Sequence, residues 1–175
     1  MYKISMVSLG CPKNQGDAEM MLYSLKEAGF EIGVPEAEAD AIIVNTCGFI
    51  EDAKSEAIEN ILEAAQYKAD GKCKAVIVTG CLAERYRDDV TAEIPEADVC
   101  VGIGSNRNIA QIVKDAIEGN AKNSYGEKND LDLNAKRILG GWPFTAYLKI
   151  GDGCDNCCTY CAIPKIRGRM RSRTI

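Results

Sequence analysis

An open, parallel α/β sheet with helices on both faces is the fold class this sequence predicts, and three observations predict it. Short β-branched apolar runs alternate with helical patterns over residues 1–120, as in successive βαβ units. The runs AIIVNT at 41–46 and AVIVTG at 75–80 are apolar almost throughout, as strands covered on both faces are. Glycine or proline closes the helical stretches, where such residues stop a helix.

The elements follow in order. Ile4–Leu9 reads as the first strand. Asn14 with Asp17 three residues on marks a helix start, and Ala18, Met21, Leu22, Leu25 and Ala28 recur at helical spacing until Gly29. Phe30–Val34 reads as a weaker edge strand, and Ala41–Thr46 as a buried one. A long helix follows, with Ala57, Ile58, Ile61, Leu62 and Ala65 expected on one face. Ala75–Gly80 is the next strand, Leu82–Glu93 the next helix, stopped by Pro95, then Val99–Ile103 a strand and Ile109–Ile117 a last helix before Gly119. Residues 120–143 are rich in Asn, Gly, Lys and Asp and read as a linker or surface loop. Phe144–Ile150 (FTAYLKI) alternates like a strand and runs into a cysteine-rich loop. The expected organisation is therefore an α/β domain over 1–120, a linker over 121–143, and the opening of a second unit over 144–175.

Composition narrows the chemistry. Apolar residues make up 46% and charged residues 27% of the chain, as in ordinary globular proteins. No apolar run approaches the roughly 18 residues that span a bilayer. The start MYKISMVSLGC superficially resembles a lipoprotein signal, but it is too short and too polar, so a cytoplasmic location with reduced thiols is expected. Nine cysteines in such a setting point to metal or cluster binding over disulfides. There is no histidine, which removes the commonest general base and every imidazole-dependent zinc site. Residues 1–140 carry net charge −9 and residues 141–175 net +4, which suggests two units with different tasks. Lys165, Arg167, Arg169, Arg171 and Arg173 read most simply as a solvated basic face.

Three cysteines follow strands directly: VSLGC at Cys11, VNTC at Cys47 and VTGC at Cys81. Ligands collect at the carboxyl ends of strands in open parallel sheets, so three strand ends would deliver three thiols to one edge. The neighbouring Gly10, Gly48 and Gly80 would let the backbone approach a bulky inorganic group. One such cysteine alone would be better explained as core packing; three in equivalent places argue for shared ligation. Cys73, before a strand, and Cys100, within one, read as structural. Three thiols suit either zinc with a water or an iron–sulfur cluster with one open iron, and spacing does not choose between them.

The loop GDGCDNCCTYCAIPKIRG at 151–168 holds four more cysteines. Cys154 and Cys157 form one C-x-x-C, Cys158 and Cys161 another, and Cys154, Cys158 and Cys161 form C-x-x-x-C-x-x-C with Tyr160 before the last thiol. That last arrangement resembles the signature of the radical S-adenosylmethionine enzymes. More broadly, SLGCPKN, NTCGFI, VTGCLAERY and YLKIGDGCDNCCTYCAIPKIRG resemble, in order and approximate spacing, the methylthiotransferases of that superfamily, and the likeness covers essentially the whole chain.

The resemblance implies two four-iron four-sulfur clusters, one on Cys11, Cys47 and Cys81 and one on Cys154, Cys158 and Cys161, with Cys157 a bystander. It implies S-adenosylmethionine as cofactor, with Tyr160 beside its adenine, and a reducing electron-transfer protein as partner. GCPKN and CGFI are similar to the branch that methylthiolates the β-carbon of an aspartate in small-subunit ribosomal protein twelve; the sister branch modifies adenosine in tRNA. The family's cluster loop opens a partial β/α barrel, a fold that takes about 200 residues or more when complete. Residues 144–175 would then be the first strand and cluster loop of an incomplete radical S-adenosylmethionine barrel, and the chain is expected to be a front portion without turnover alone. Two rivals come from other classes. A two-cluster electron carrier would use four cysteines per cluster, against three here. A zinc module on Cys154, Cys157, Cys158 and Cys161 would need two adjacent ligands in an awkward geometry.

Overall fold

The structure is a computed structural model, and it describes residues 1–130, 132–140 and 144–174. Of the expected linker, residues 131 and 141–143 lie outside the described residues, as does residue 175 of the second unit.

The N-terminal region alternates β1 (Lys3–Ser8), α1 (Pro12–Glu27), β2 (Glu31–Ile32), β3 (Ala41–Thr46), α2 (Glu51–Ala69), β4 (Ala75–Gly80), α3 (Cys81–Arg85), α4 (Arg87–Glu93), β5 (Val99–Val101) and α5 (Ile109–Ile117). Five strands form one sheet in the order β2-β1-β3-β4-β5, and every pairing in it is parallel. Every residue of the central strands β3 and β4 is buried, which is why these two runs are apolar up to the polar Asn45, Thr46 and Thr79 at their carboxyl ends.

The side chains of β3 separate cleanly onto two faces, as the two-residue period of a strand requires. Ile42 and Val44 join a core with Ala57 and Ile61 of α2 and Leu82 of α3. Ala41 and Ile43 join the opposite core with Met21 and Leu25 of α1 and Ile109 and Val113 of α5. Helices therefore cover both faces, as the alternating pattern predicts.

Three local expectations need correction. The α2 face against the sheet is Ala57, Ile61 and Ala64, whereas Ile58 and Leu62 are 38% and 42% exposed. Small alanines let the helix sit close to the sheet, and that turns the larger neighbours outward. The helix expected over 82–93 is two helices, because Tyr86 leaves the helical region with φ −120° and ψ 39°. Phe144–Ile150 forms no strand: Phe144, Leu148 and Ile150 are 81%, 66% and 70% exposed, and only at its end does the backbone join a pairing, where Ile150 O accepts from Arg173 N at 2.9 Å among the described residues. The strand that does form is the short β6 (Gly151–Asp152), antiparallel to β7 (Arg171–Ser172). Between them lie the cysteine loop and α6 (Ile163–Arg167).

Residues after α5 return along the sheet. Ser124 bridges Val101 of β5, with Gly102 N donating to Ser124 O at 2.8 Å and Ser124 N to Cys100 O at 3.0 Å. Among the described residues, no helix is long and apolar enough to cross a membrane.

Candidate metal centre

β1, β3 and β4 are adjacent, in register Ser8↔Asn45 and Thr46↔Gly80, so their carboxyl ends lie level about 4.8 Å apart. Each end leads into a cysteine. Cys11 is the N-cap of α1 in extended conformation, Cys47 follows β3 directly, and Cys81 opens α3. Cys11 is exposed, Cys47 half-buried and Cys81 buried.

Polar side chains hold these turns together. Asn14 Nδ2 donates to Leu9 O at 2.7 Å and Thr46 O at 3.0 Å, while Asn45 Nδ2 donates back to Asn14 O at 2.9 Å. Arg85 Nη1 donates to Gly48 O at 2.9 Å, tying α3 to the Cys47 turn. The glycines serve this closeness. A Cβ on Gly10 (φ +96°) would lie 2.8 Å from Cys47 Cβ, and one on Gly48 2.8 Å from the Leu82 backbone. The glycines thus let one cysteine turn approach the next.

The second cysteine set lies between β6 and α6. Cys154 N donates to Gly168 O at 3.1 Å and Cys161 N to Cys158 O at 3.0 Å. Cys157 takes a left-handed φ of +33°, and Cys157 and Cys158 are both exposed. Tyr160 is 90% exposed. The loop does not stand apart from the sheet edge: Ile166 of α6 and Ala162 pack with Cys81 and Ile103. An open cleft of about 630 Å³ is lined by Arg85 and Tyr86 from one side and Cys157, Cys158, Tyr160 and Cys161 from the other.

Among the described residues, no three Cys, Asp or Glu side chains gather closely enough to share one metal ion. A single zinc needs every sulfur about 2.3 Å from one point. A cluster with several irons takes its thiolates on different irons and so does not need them to meet at one point.

Beneath the two sets is a buried charged network that sequence reasoning missed. Arg167 is 2% exposed, which corrects its place in a solvated basic face. Its Nη1 donates to Asp17 Oδ2 at 2.7 Å and Asp152 Oδ2 at 3.2 Å. Its Nη2 donates to Asn14 Oδ1 at 3.3 Å and approaches Cys81 Sγ at 3.6 Å. Lys149 Nζ bridges the same carboxylates, at 2.5 Å from Asp17 and 2.8 Å from Asp152. Burial pushes the Cys81 thiol above its ordinary range, and the Arg167 guanidinium opposes that rise without cancelling it. Burial alone would lower the Arg167 pKa, but Asp17, Cys81 and Asp152 raise it further, so the guanidinium stays charged. One signal was legible: Asn14 and Asp17 occur at the spacing of the inward residues Ala18, Met21 and Leu25, and both are 1% exposed.

A parallel α/β domain with cysteines at three neighbouring strand ends defines the class, and the chain belongs to the uncharacterized protein family UPF0004, whose model matches residues 3–102. The chain is similar over its whole length to the ribosomal protein uS12 methylthiotransferase RimO of Desulforamulus reducens, at 54% identity over 100% of this chain and 40% of that protein. It is 49% identical over 99% of its length to the protein of the same name from Trichlorobacter lovleyi, and 51% identical over 98% to that from Pelotomaculum thermopropionicum, covering 39% of each. The resemblance read from the cysteine motifs is borne out, and the chain spans about two fifths of the length of these relatives.

Proposed function

We propose that this chain carries both cluster sites of a cytoplasmic radical S-adenosylmethionine methylthiotransferase acting on ribosomal protein uS12, at the β-carbon of an aspartate. The observation that carries the reading is identity of 49–54% to uS12 methylthiotransferases across 98–100% of this chain, both cysteine-bearing stretches included. The donor chemistry fits. Each set supplies three thiols without histidine, which leaves one iron of a four-iron cluster free, whereas a pure electron carrier closes its cluster with four cysteines.

When bound, the clusters and S-adenosylmethionine supply the one-electron chemistry that an unactivated C–H bond needs and acid–base groups lack. Everything else falls to the chain. Cys154, Cys158 and Cys161 hold one cluster on an exposed loop, open to a reducing protein partner. Cys11, Cys47 and Cys81 hold the other at the sheet edge, with Asn14, Asn45 and Arg85 fixing the three turns. Tyr160 is free to lie against the adenine of the cofactor, since its side chain is exposed.

Anaerobic reconstitution of the 175-residue chain with iron and sulfide tests this. About eight irons per chain are expected, falling by about half in either the Cys11/Cys47/Cys81→Ala or the Cys154/Cys158/Cys161→Ala variant. S-adenosylmethionine should perturb the electron paramagnetic resonance spectrum only where the second set is intact. Zinc in place of iron, or loading indifferent to both variants, sinks the reading. A chimera placing this chain in the matching segment of the Desulforamulus reducens relative is expected to methylthiolate uS12 and leave tRNA unmodified, as read by mass spectrometry.

A further inference from the structure

We propose that Arg167 is a positioning residue that reaches from the segment carrying the second cysteine set to Cys81 of the first, and so tunes the cluster held at the sheet edge. The inference rests on Cys81 being a ligand of that cluster.

The geometry carries it. Arg167 is 150 positions from Asp17 and 86 from Cys81 in sequence, yet it touches both. The two carboxylates on Nη1 aim the guanidinium, and that leaves Nη2 directed at Asn14 and the Cys81 sulfur. A planar fork can serve both sides at once; a lysine ammonium has no such fixed geometry. Desolvation of the arginine is compensated, because Arg167 and Lys149 face Asp17 and Asp152 with balanced charge. An N–H donor and a positive charge beside a ligating sulfur withdraw electron density and favour the reduced cluster; hydrogen bonds to sulfur and burial are among the factors that set such potentials. Docking of the second cysteine loop is thereby coupled to the electron affinity of the first site.

The test uses Arg167→Met and Arg167→Lys in the reconstituted 175-residue chain, each in the Cys154/Cys158/Cys161→Ala background so that the sheet-edge cluster titrates alone. Arg167→Met is expected to shift its oxidised-to-reduced ratio at fixed potential about tenfold toward oxidised, roughly 59 mV for one electron. Arg167→Lys should shift it less, in the same direction. The same substitutions in the Cys11/Cys47/Cys81→Ala background should leave the other cluster's potential unchanged. Hydrogen exchange of residues 162–169 in the metal-free chain separates tuning from mere scaffolding: faster in Arg167→Met, near wild type in Arg167→Lys. A potential that ignores both substitutions while the cluster still loads overturns this proposal alone. Failure of the wild-type chain to load any cluster on Cys11, Cys47 and Cys81 overturns the site reading beneath it as well.

Discussion

A Cβ added at Gly48 would stand 2.8 Å from Leu82 Cα and N and 3.0 Å from the Cys81 carbonyl carbon. Those atoms are backbone in the first turn of α3, so they cannot swing aside as a side-chain tip would. Gly48→Ala is expected to cost about 1–3 kcal/mol, the usual range for overpacking. In a thermal scan of the metal-free chain that is a fall of several degrees, on the order of 2–8 °C, with no change in sheet content by circular dichroism. Cys73 and Cys100 show what a cysteine does without a site. Both are buried, at 4% and 1% exposure, inside the α2-side core, and burial pushes both thiols up. Cys81, equally apolar in its immediate packing, differs in having Arg167 beside it. Type and spacing separate the ligand candidates from the packers only because the strand-end position was recognised; the arginine partner lies too far away in sequence to be read.

Among the elements, α2 gives the cleanest contrast between periodicity and contact. Ile58 and Ile61 both fit an apolar stripe, yet Ile61 is fully buried against Ile42 and Val76 in the core while Ile58 faces outward. Ile61→Ala is expected to destabilise by about 2–5 kcal/mol, as core truncations do, and Ile58→Ala by no more than about 0.5 kcal/mol, as surface changes do. Urea unfolding of the two variants measures the difference; equal losses would mean that α2 is rotated from the orientation described. The strands β3 and β4 were legible to the residue because complete burial leaves an apolar run over most of each strand. The segment 144–150 was not, because alternation records a chain's capacity to pair and says nothing of whether a partner strand is there.

For the whole molecule, the decisive contact is between the sheet domain and the segment that carries the second cysteine set. Asp17 on α1 meets both Lys149 and Arg167, and each of the three is under 10% exposed at the side chain. Removing one partner from a buried ion pair strands the other, a loss of about 3–5 kcal/mol. Asp17→Asn is therefore expected to free residues 149–167 from the sheet domain, raising the rate of tryptic cleavage after Lys165 at least tenfold while the thermal midpoint of the sheet changes little. A variant that melts as a whole without this selective cleavage would show that α1 needs Asp17 for its own packing. By itself the sequence determined the parallel α/β class, the order of the central elements and the placing of Cys11, Cys47 and Cys81 directly after strands, because strand periodicity, helix stops and the position of a residue after a strand are local properties of the chain. Only the tertiary structure decided that Arg167 is buried, that α6 seats against Cys81, and that the two cysteine sets adjoin. Those facts depend on contacts across 86 to 150 residues, where charge complementarity in a low-dielectric interior, and no local pattern, selects the partner.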